Sequence, residues 1–260
     1  MLSDVFSGLV AAGTLALAAA TFRLAFVSDG ENRESYKARV DVNAPRIFVT
    51  DLNLSPEPII FSPVAPKFPS SVGVVGTPWD VHKYAGVMLG LVAGVYFRNE
   101  GNVSAVVRIE VPDGPTVRVL GFTDMSEDTT GHIETEITDL WGWSIIPPGA
   151  QGMIRFVWWR DTSEWLADYR SEGEPPLCEV SLVAKDGLEN IRDKCKLKFG
   201  ASMIGRANVP EGWVLLGPSN GADLVEPVPE CYGQFDFVER EYPRLPPSGL
   251  KTFISRKRGH

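Results

Sequence analysis

An uninterrupted run of uncharged, mostly apolar residues at the amino terminus most restricts what this chain can fold into. From Val5 to Phe22 the sequence reads VFSGLVAAGTLALAAATF, and beyond Arg23 the apolar character resumes through Val27. About 20 apolar residues in a helix span a bilayer, and tilt or snorkelling of the arginine accommodates the extra length. The run therefore predicts a transmembrane helix. Its anchor residues include Val5, Leu9, Leu15, Leu17 and Phe22.

Two alternatives to an anchor stay open, a cleaved signal peptide and a buried helix of a soluble protein. LALAAATF contains small residues of the kind found at cleavage sites, but no lysine or arginine precedes the run and Asp4 is the only earlier charge. Arg23, Arg33, Lys37 and Arg39 follow it, so the positive-inside rule predicts a single-pass protein of the cell membrane with a cytoplasmic carboxy-terminal domain. Small residues in the helix allow self-association in lipid, and hence a homo-oligomer.

The composition of the remaining chain favours a mainly β fold. Twenty prolines and 25 glycines among 260 residues are typical of many short elements joined by turns. The net charge of -8 argues against a general nucleic-acid binder. We expect three segments: a transmembrane helix with its juxtamembrane segment (1–38), a β-sandwich (39–200) and a proline- and glycine-rich extension with a basic tail (201–260).

Alternating apolar residues predict the strands. The first combines Val40 and Val42 with Ile47 and Val49, and its interruption at Pro45 suits an edge strand or a bulge. A proline-rich stretch then predicts a long surface loop to about residue 80, which is a candidate contact region. Further strands are expected at 92–97, 105–111 and 153–159, and a short helix within 161–174 that Asp161 or Thr162 caps. Trp158 and Trp159 must point to opposite sides of their strand.

Two turns carry a resemblance to a known family. Asn99 and Gly101 form an N-x-G turn before Ala105, with Gly101 supplying a positive φ, and Pro148 and Gly149 form a turn before the 153–159 strand. This pattern resembles the immunoglobulin-like sandwiches of bacterial membrane-anchored and envelope proteins, such as the cell-adhesion-related bacterial domain. The spacing departs from that family through an insert between residues 112 and 143. The resemblance implies a non-catalytic binding or spacer module.

Cys178 and Cys195 are the candidate cysteine pair. If Asp186 and Gly187 form a two-residue hairpin turn, these cysteines face each other at a non-hydrogen-bonded position, where a cross-strand disulfide is geometrically possible. The same register pairs Glu179 with Lys194. A longer KDGLEN loop would shift this register, and a cytoplasmic domain keeps thiols reduced, so we expect two neighbouring reduced thiols.

An acidic stretch offers a candidate metal site. His132, Glu134 and Glu136 share one face of a predicted strand because side chains two residues apart point the same way. Such a face can bind a divalent metal, it can be a solvated edge, or it can attract a basic partner. The solvated edge explains the same pattern, so we expect no metal and no other cofactor.

The motifs of known enzyme classes are missing from the sequence. It contains no nucleophile elbow, phosphate-binding glycine loop, H-E-x-x-H helix or kinase signature, and only three histidines. We therefore expect a non-enzymatic module that holds an unknown protein partner at the lipid bilayer. An externally displayed ligand-binding or adhesion domain is the alternative, and a metal-dependent hydrolase is a distant third.

Overall fold

The computed structural model describes residues 2–61, 71–84, 86–112, 116–124, 134–135, 143–169, 175–218, 223–228 and 230–245. Within these ranges the side chains of residues 2–12, 71, 124, 134–135 and 169 are not described. The helices are α1 (Leu2–Asp41) and α2 (Thr162–Tyr169). The strands are β1 (Ile47–Leu54), β2 (Ile59–Phe61), β3 (Ser71–Val72), β4 (Met88–Asn99), β5 (Ala105–Glu110), β6 (Thr116–Asp124), β7 (Glu134–Thr135), β8 (Ser144–Ile146), β9 (Gln151–Asp161), β10 (Leu177–Lys185), β11 (Arg192–Gly200), β12 (Ile204–Arg206), β13 (Trp213–Leu215), β14 (Tyr232–Phe235) and β15 (Glu239–Glu241).

The strands form two antiparallel sheets that pack face to face. The first sheet has the order β3-β2-β4-β9-β6-β7, with β1 also paired to β4. The second has the order β14-β11-β10-β5-β8, with β15 also paired to β11. Strands β12 and β13 form a separate hairpin. The chain is therefore mainly β, as its composition predicted.

The core lies between the two sheets and follows from the alternation of the sequence. Leu89, Leu91, Ala93, Val95 and Phe97 are the successive inward residues of β4, and each is no more than 1% exposed. The second sheet contributes the inward residues of β10 and β11 to the same core. An edge-to-face contact between the rings of Phe156 and Phe199, with centroids 5.3 Å apart, joins the two sheets.

The predicted strands at 92–97, 105–111 and 153–159 correspond to β4, β5 and β9, and β1 has β4 as its sole strand partner in the described part of the chain. Strands β4 and β5 belong to different sheets, so the loop at 100–104 crosses between the sheets. The predicted insert between residues 112 and 143 contains β6, which pairs with β9 along most of its length. It is thus in part a strand of the sandwich.

The amino-terminal helix is longer than the sequence indicated. α1 continues through Asp41, so the prediction that Val40 begins a strand was wrong. No helix in the described part of the chain is both long enough and apolar enough to cross a membrane. Among the predicted anchor residues, Val5 and Leu9 have side chains outside the described set. Leu15, Leu17 and Phe22 are 72%, 70% and 61% exposed.

The described residues of the carboxy-terminal extension pack on the sandwich. Strands β14 and β15 both pair with β11, and Ala201, Met203 and Leu215 belong to the same core as the two sheets. Beyond the boundary predicted at residue 200, the described strands β14 and β15 therefore extend the second sheet. The proline-rich segment likewise contributes β2, which pairs with β4 at 88–90, whereas residues 62–70 lie outside the described residues.

Candidate interaction site

The turn at Asn99 is a structural element of the sandwich. Asn99 is fully buried, and its Oδ1 accepts hydrogen bonds from the backbone N–H groups of Arg46 (3.2 Å) and Gly101 (3.0 Å). Its Nδ2 donates to the carbonyl oxygens of Val103 (2.8 Å) and Ile146 (3.2 Å). One amide thus joins the start of β1, the crossing loop and the end of β8, so its role is scaffolding.

Gly101 is required by close packing and not by its φ angle. The φ angle of Gly101 is not positive, whereas that of Gly149 is 75°. A Cβ on Gly101 would lie 2.4 Å from the carbonyl oxygen of Ala44 and 2.5 Å from the backbone nitrogen of Arg46. The predicted positive φ at Gly101 was therefore wrong, and the residue instead lets the crossing loop lie against the segment that leads into β1.

The predicted cysteine register was also wrong. Phe199 faces Cys178 and Leu182 faces Cys195, so the two cysteines lie four residues apart along the ladder, about 13 Å. A disulfide requires Cα atoms within about 7 Å, and all three cysteines are free thiols. The shift follows from the longer loop, and Glu179 correspondingly pairs with Lys198, with Nζ 3.8 Å from Oε2.

The structure describes only one residue of the predicted metal face. Glu134 lies in β7, opposite Thr123 of β6, whereas His132 and Glu136 lie outside the described residues. Among the described residues there is no group of three or more histidine, cysteine or acidic side chains that could hold a metal ion. The metal prediction stays untested.

An apolar cleft opens beside the carboxy-terminal end of α1, and we call it the Phe237 cleft. It has a volume of about 470 Å³ and lies between the start of β1 and the bend that joins β14 to β15. Its lining residues are Asp41, Arg46, Ile47, Phe48, Val49, Asp193, Phe235, Asp236, Phe237, Val238 and Arg240. Phe237 is 97% exposed and Phe48 is 57% exposed. These two exposed aromatic side chains make the Phe237 cleft the candidate interaction surface among the described residues.

The edge of β1 that faces away from β4 lines this cleft at residues 46–49, and carboxylates accept hydrogen bonds from two backbone donors of that edge. Glu100 N donates to the carbonyl oxygen of Arg46 (2.8 Å), so the Arg46 carbonyl points toward the chain that leaves β4. Backbone groups alternate in direction along a strand, and those of Ile47 therefore point away from β4. The Ile47 N–H donates to Asp193 Oδ2 at 3.4 Å, and the Leu52 N–H donates to Asp51 Oδ1 at 2.8 Å. The ladder is further interrupted by a bulge between residues 49 and 51. These features protect the edge against strand addition.

A polar cluster at the same end of the molecule ties α1 to the sandwich, and we call it the latch: Asp41, Asp193, Arg240 and Tyr242. Arg240 Nε and Nη2 donate to the two oxygens of Asp193 at 2.7 and 2.8 Å, and Nη1 donates to Asp41 Oδ1 at 3.0 Å. The Tyr242 hydroxyl donates to Asp41 Oδ2 at 2.8 Å. Hydrogen bonding to Asp193 raises the pKa of Arg240, and burial together with the bond to Asp41 raises the pKa of Tyr242 to about 12.

Sequence reasoning missed both the cleft and the latch. The available signal was the segment QFDFVEREY (234–242), in which three aromatic and four charged residues stand within a region otherwise rich in proline and glycine. This segment supplies Phe235 and Phe237 to the cleft, and Arg240 and Tyr242 to the latch.

Comparisons of the chain with known protein families, with curated proteins and with solved structures found no match. The resemblance to bacterial immunoglobulin-like modules therefore stays a prediction.

Proposed function

We propose that this chain is a non-enzymatic interaction module, anchored in a membrane by α1, whose immunoglobulin-like sandwich binds a protein partner at the Phe237 cleft. The exposed aromatic residues of that cleft are the single observation that carries the proposal.

The strand order supports an immunoglobulin-like sandwich. Strands β1, β4, β9 and β6 are neighbours in the first sheet, and β5, β10 and β11 are neighbours in the second. If β1, β4, β5, β6, β9, β10 and β11 are lettered A to G in chain order, the two sheets read A-B-E-D and C-F-G. That is the arrangement of the seven-stranded immunoglobulin fold.

The sequence of α1 supports the anchor and its orientation. Residues 5–22 carry no charge, and the basic residues Arg23, Arg33, Lys37 and Arg39 all follow this run. This asymmetry favours a cytoplasmic sandwich, where an interaction module would hold its partner near the membrane.

The character of the cleft supports a partner that binds through side chains. Phe48 and Phe237 offer apolar area that becomes favourable when buried, at about 25 cal/mol per Å². The backbone donors of Ile47 and Leu52 are already bonded to carboxylates, so a partner strand gains little by extending the sheet there. An aromatic or aliphatic side chain inserted between the two phenylalanines is the contact that this surface favours.

Membrane attachment and orientation can be tested with the native cysteines. Cys231 is exposed whereas Cys178 and Cys195 are buried, so a bilayer-impermeant maleimide should label the folded protein at Cys231 alone. We expect the full-length protein to pellet with membranes and to label only after cell lysis. Labelling of intact cells would favour the externally displayed adhesion domain. Full-length protein in the soluble fraction would contradict the anchor.

Partner binding can be tested by site-specific photocrosslinking in cells. A benzoylphenylalanine introduced at Phe237 should give an adduct with another protein, and Phe48→Ser should weaken that adduct because it removes the neighbouring aromatic surface. Leu188 is the matched control, since it is 68% exposed in the loop between β10 and β11 and does not line the cleft. Identical adducts from both positions, or none from position 237, would overturn the cleft as the binding surface.

A further inference from the structure

We propose that the latch is a conformational device that fixes the angle between α1 and the sandwich, and that it opens at its α1 side while the sandwich stays folded. The proposal concerns how the helix is held. It does not depend on whether α1 lies in a membrane.

The latch has two halves that differ in burial. On the sandwich side, the Asp193 side chain is 3% exposed and binds Arg240 through two hydrogen bonds. On the α1 side, the Asp41 side chain is 35% exposed and binds Arg240 and Tyr242 through one hydrogen bond each. Removing one partner of a buried ion pair leaves an uncompensated buried charge and is strongly destabilising, whereas pairs that water reaches contribute little. The α1 side is therefore the half that opens first.

The segment between α1 and β1 is held by bonds that do not involve Asp41. Arg240 Nη2 donates to the carbonyl oxygen of Pro45 at 2.6 Å and the Ile47 N–H donates to Asp193 Oδ2 at 3.4 Å, so the sandwich side of the latch belongs to this attachment. Asn102 Nδ2 donates to the carbonyl oxygen of Val42 at 3.1 Å, and Asn102 N donates to that of Ala44 at 3.3 Å. Gly101 packs directly on the backbone of Ala44 and Arg46. These bonds hold the segment after the helix, so breaking the bonds of Asp41 leaves the segment attached and gives α1 a pivot at residues 41–43.

The latch residues come from distant parts of the sequence, so their bonds can fix the direction of α1 relative to the sandwich. Asp41 is separated by 199 residues from Arg240 and by 201 from Tyr242. Lys37, one turn earlier in α1, lies with Nζ 5.7 Å from the centre of the Tyr242 ring. The last two turns of α1 thus contact a single short segment after β14, and that segment controls the direction of the helix.

Distance measurements between two spin labels on the full-length chain test the latch. Labels at Glu31→Cys on α1 and Lys196→Cys on β11 lie on exposed positions, and Cys231→Ser removes the exposed native thiol. We expect one narrow distance distribution when the latch is intact. Asp41→Ala combined with Tyr242→Phe should replace that peak with a broad distribution, while the thermal unfolding midpoint of the sandwich stays close to that of the parent.

Glu34→Ala is the matched control, because it removes a carboxylate of α1 that, within the described part of the chain, bonds to Lys37 of the same helix. It should leave the narrow peak in place. A distribution that stays narrow in the Asp41→Ala and Tyr242→Phe variant would overturn the latch. A broad distribution in the parent would do so equally, whatever the membrane and crosslinking experiments show.

Discussion

Arg240 and Asp193 form a bidentate ion pair in which Nε lies 2.7 Å from Oδ1 and Nη2 lies 2.8 Å from Oδ2. The Asp193 side chain is 3% exposed, so its charge has been removed from water and depends on the guanidinium. Arg240→Ala should therefore lower the free energy of unfolding by about 3–5 kcal/mol, because it leaves a buried carboxylate without its partner. Urea denaturation followed by tryptophan fluorescence measures the change.

Arg206→Ala is the comparison for this variant. Arg206 Nη1 lies 3.6 Å from Glu226 Oε1, and both side chains are more than half exposed, at 58% and 51%. Loss of this ion pair should lower the free energy of unfolding by about 0–1 kcal/mol, as is usual for surface ion pairs. Equal losses from the two arginine variants would show that Asp193 is not held by Arg240 in the folded protein.

Asn99 should be among the most sensitive polar positions in the sandwich. Asn99→Ala removes four hydrogen bonds in a fully buried position, and each buried group left without a partner costs about 1–3 kcal/mol. We expect a loss of at least about 2 kcal/mol in the free energy of unfolding. Asn102→Ala, which removes a single exposed bond to Val42, should cost less, and the reverse order would contradict the scaffold role of Asn99.

Gly101 should tolerate no side chain. The Cβ of Gly101→Ala would lie within 2.6 Å of the backbone of Ala44, Pro45 and Arg46, so the loop and β1 must separate. Such overpacking typically costs about 1–3 kcal/mol. Gly187→Ala is the control, since no atom lies within 4 Å of its added Cβ, and it should unfold at the same urea concentration or slightly higher. A Gly101→Ala variant as stable as the parent would contradict this packing.

Much of the fold could be predicted because strand periodicity is local. The alternation in β4, β5 and β9 and the capping of α2 by Asp161, whose Oδ1 accepts from Ser163 N at 2.7 Å, follow from neighbouring residues. Trp158 is 5% exposed in the core and Trp159 points away from it, as two successive strand residues must. Which sheet each strand joins depends on contacts between distant segments, so the crossing from β4 to β5 was not predictable.

The register of β10 and β11 shows why turn chemistry alone is insufficient. Asp186 and Gly187 predict a two-residue turn. In the structure Asp186 Oδ1 instead accepts hydrogen bonds from the backbone N–H groups of Asn190 (2.7 Å) and Ile191 (3.1 Å), and Glu189 adopts a φ of 56°. The side chain of Asp186 thus closes a wider loop and moves Cys178 away from Cys195.

The candidate site was not predictable for a different reason. The Phe237 cleft joins β1 to a segment almost 190 residues later, and nothing in the local sequence around Phe48 indicates that Phe237 lies near it. The proline and glycine content of residues 201–260 indicated an irregular extension. Strands as short as β14 and β15 leave little periodic signal in a sequence, so these two strands were not predicted.

The two buried cysteines should make the protein less stable at alkaline pH. Burial raises the pKa of Cys178 to about 12, and burial together with the nearby Asp236 carboxylate raises the pKa of Cys195 to about 11, against an ordinary value of 9.0. The unfolded chain therefore loses these protons first. The contribution of the two thiols to stability is fully present below pH 9.0 and is lost as the pH rises through the folded-state pKa values.

Urea titrations at neutral pH and at a pH between the unfolded-state and folded-state pKa values should show this decline in the free energy of unfolding. The double variant Cys178→Ala with Cys195→Ala should show a smaller decline. Cys231→Ser, at an exposed position, should show the same decline as the parent. An equal decline in all three proteins would show that other groups govern the alkaline response.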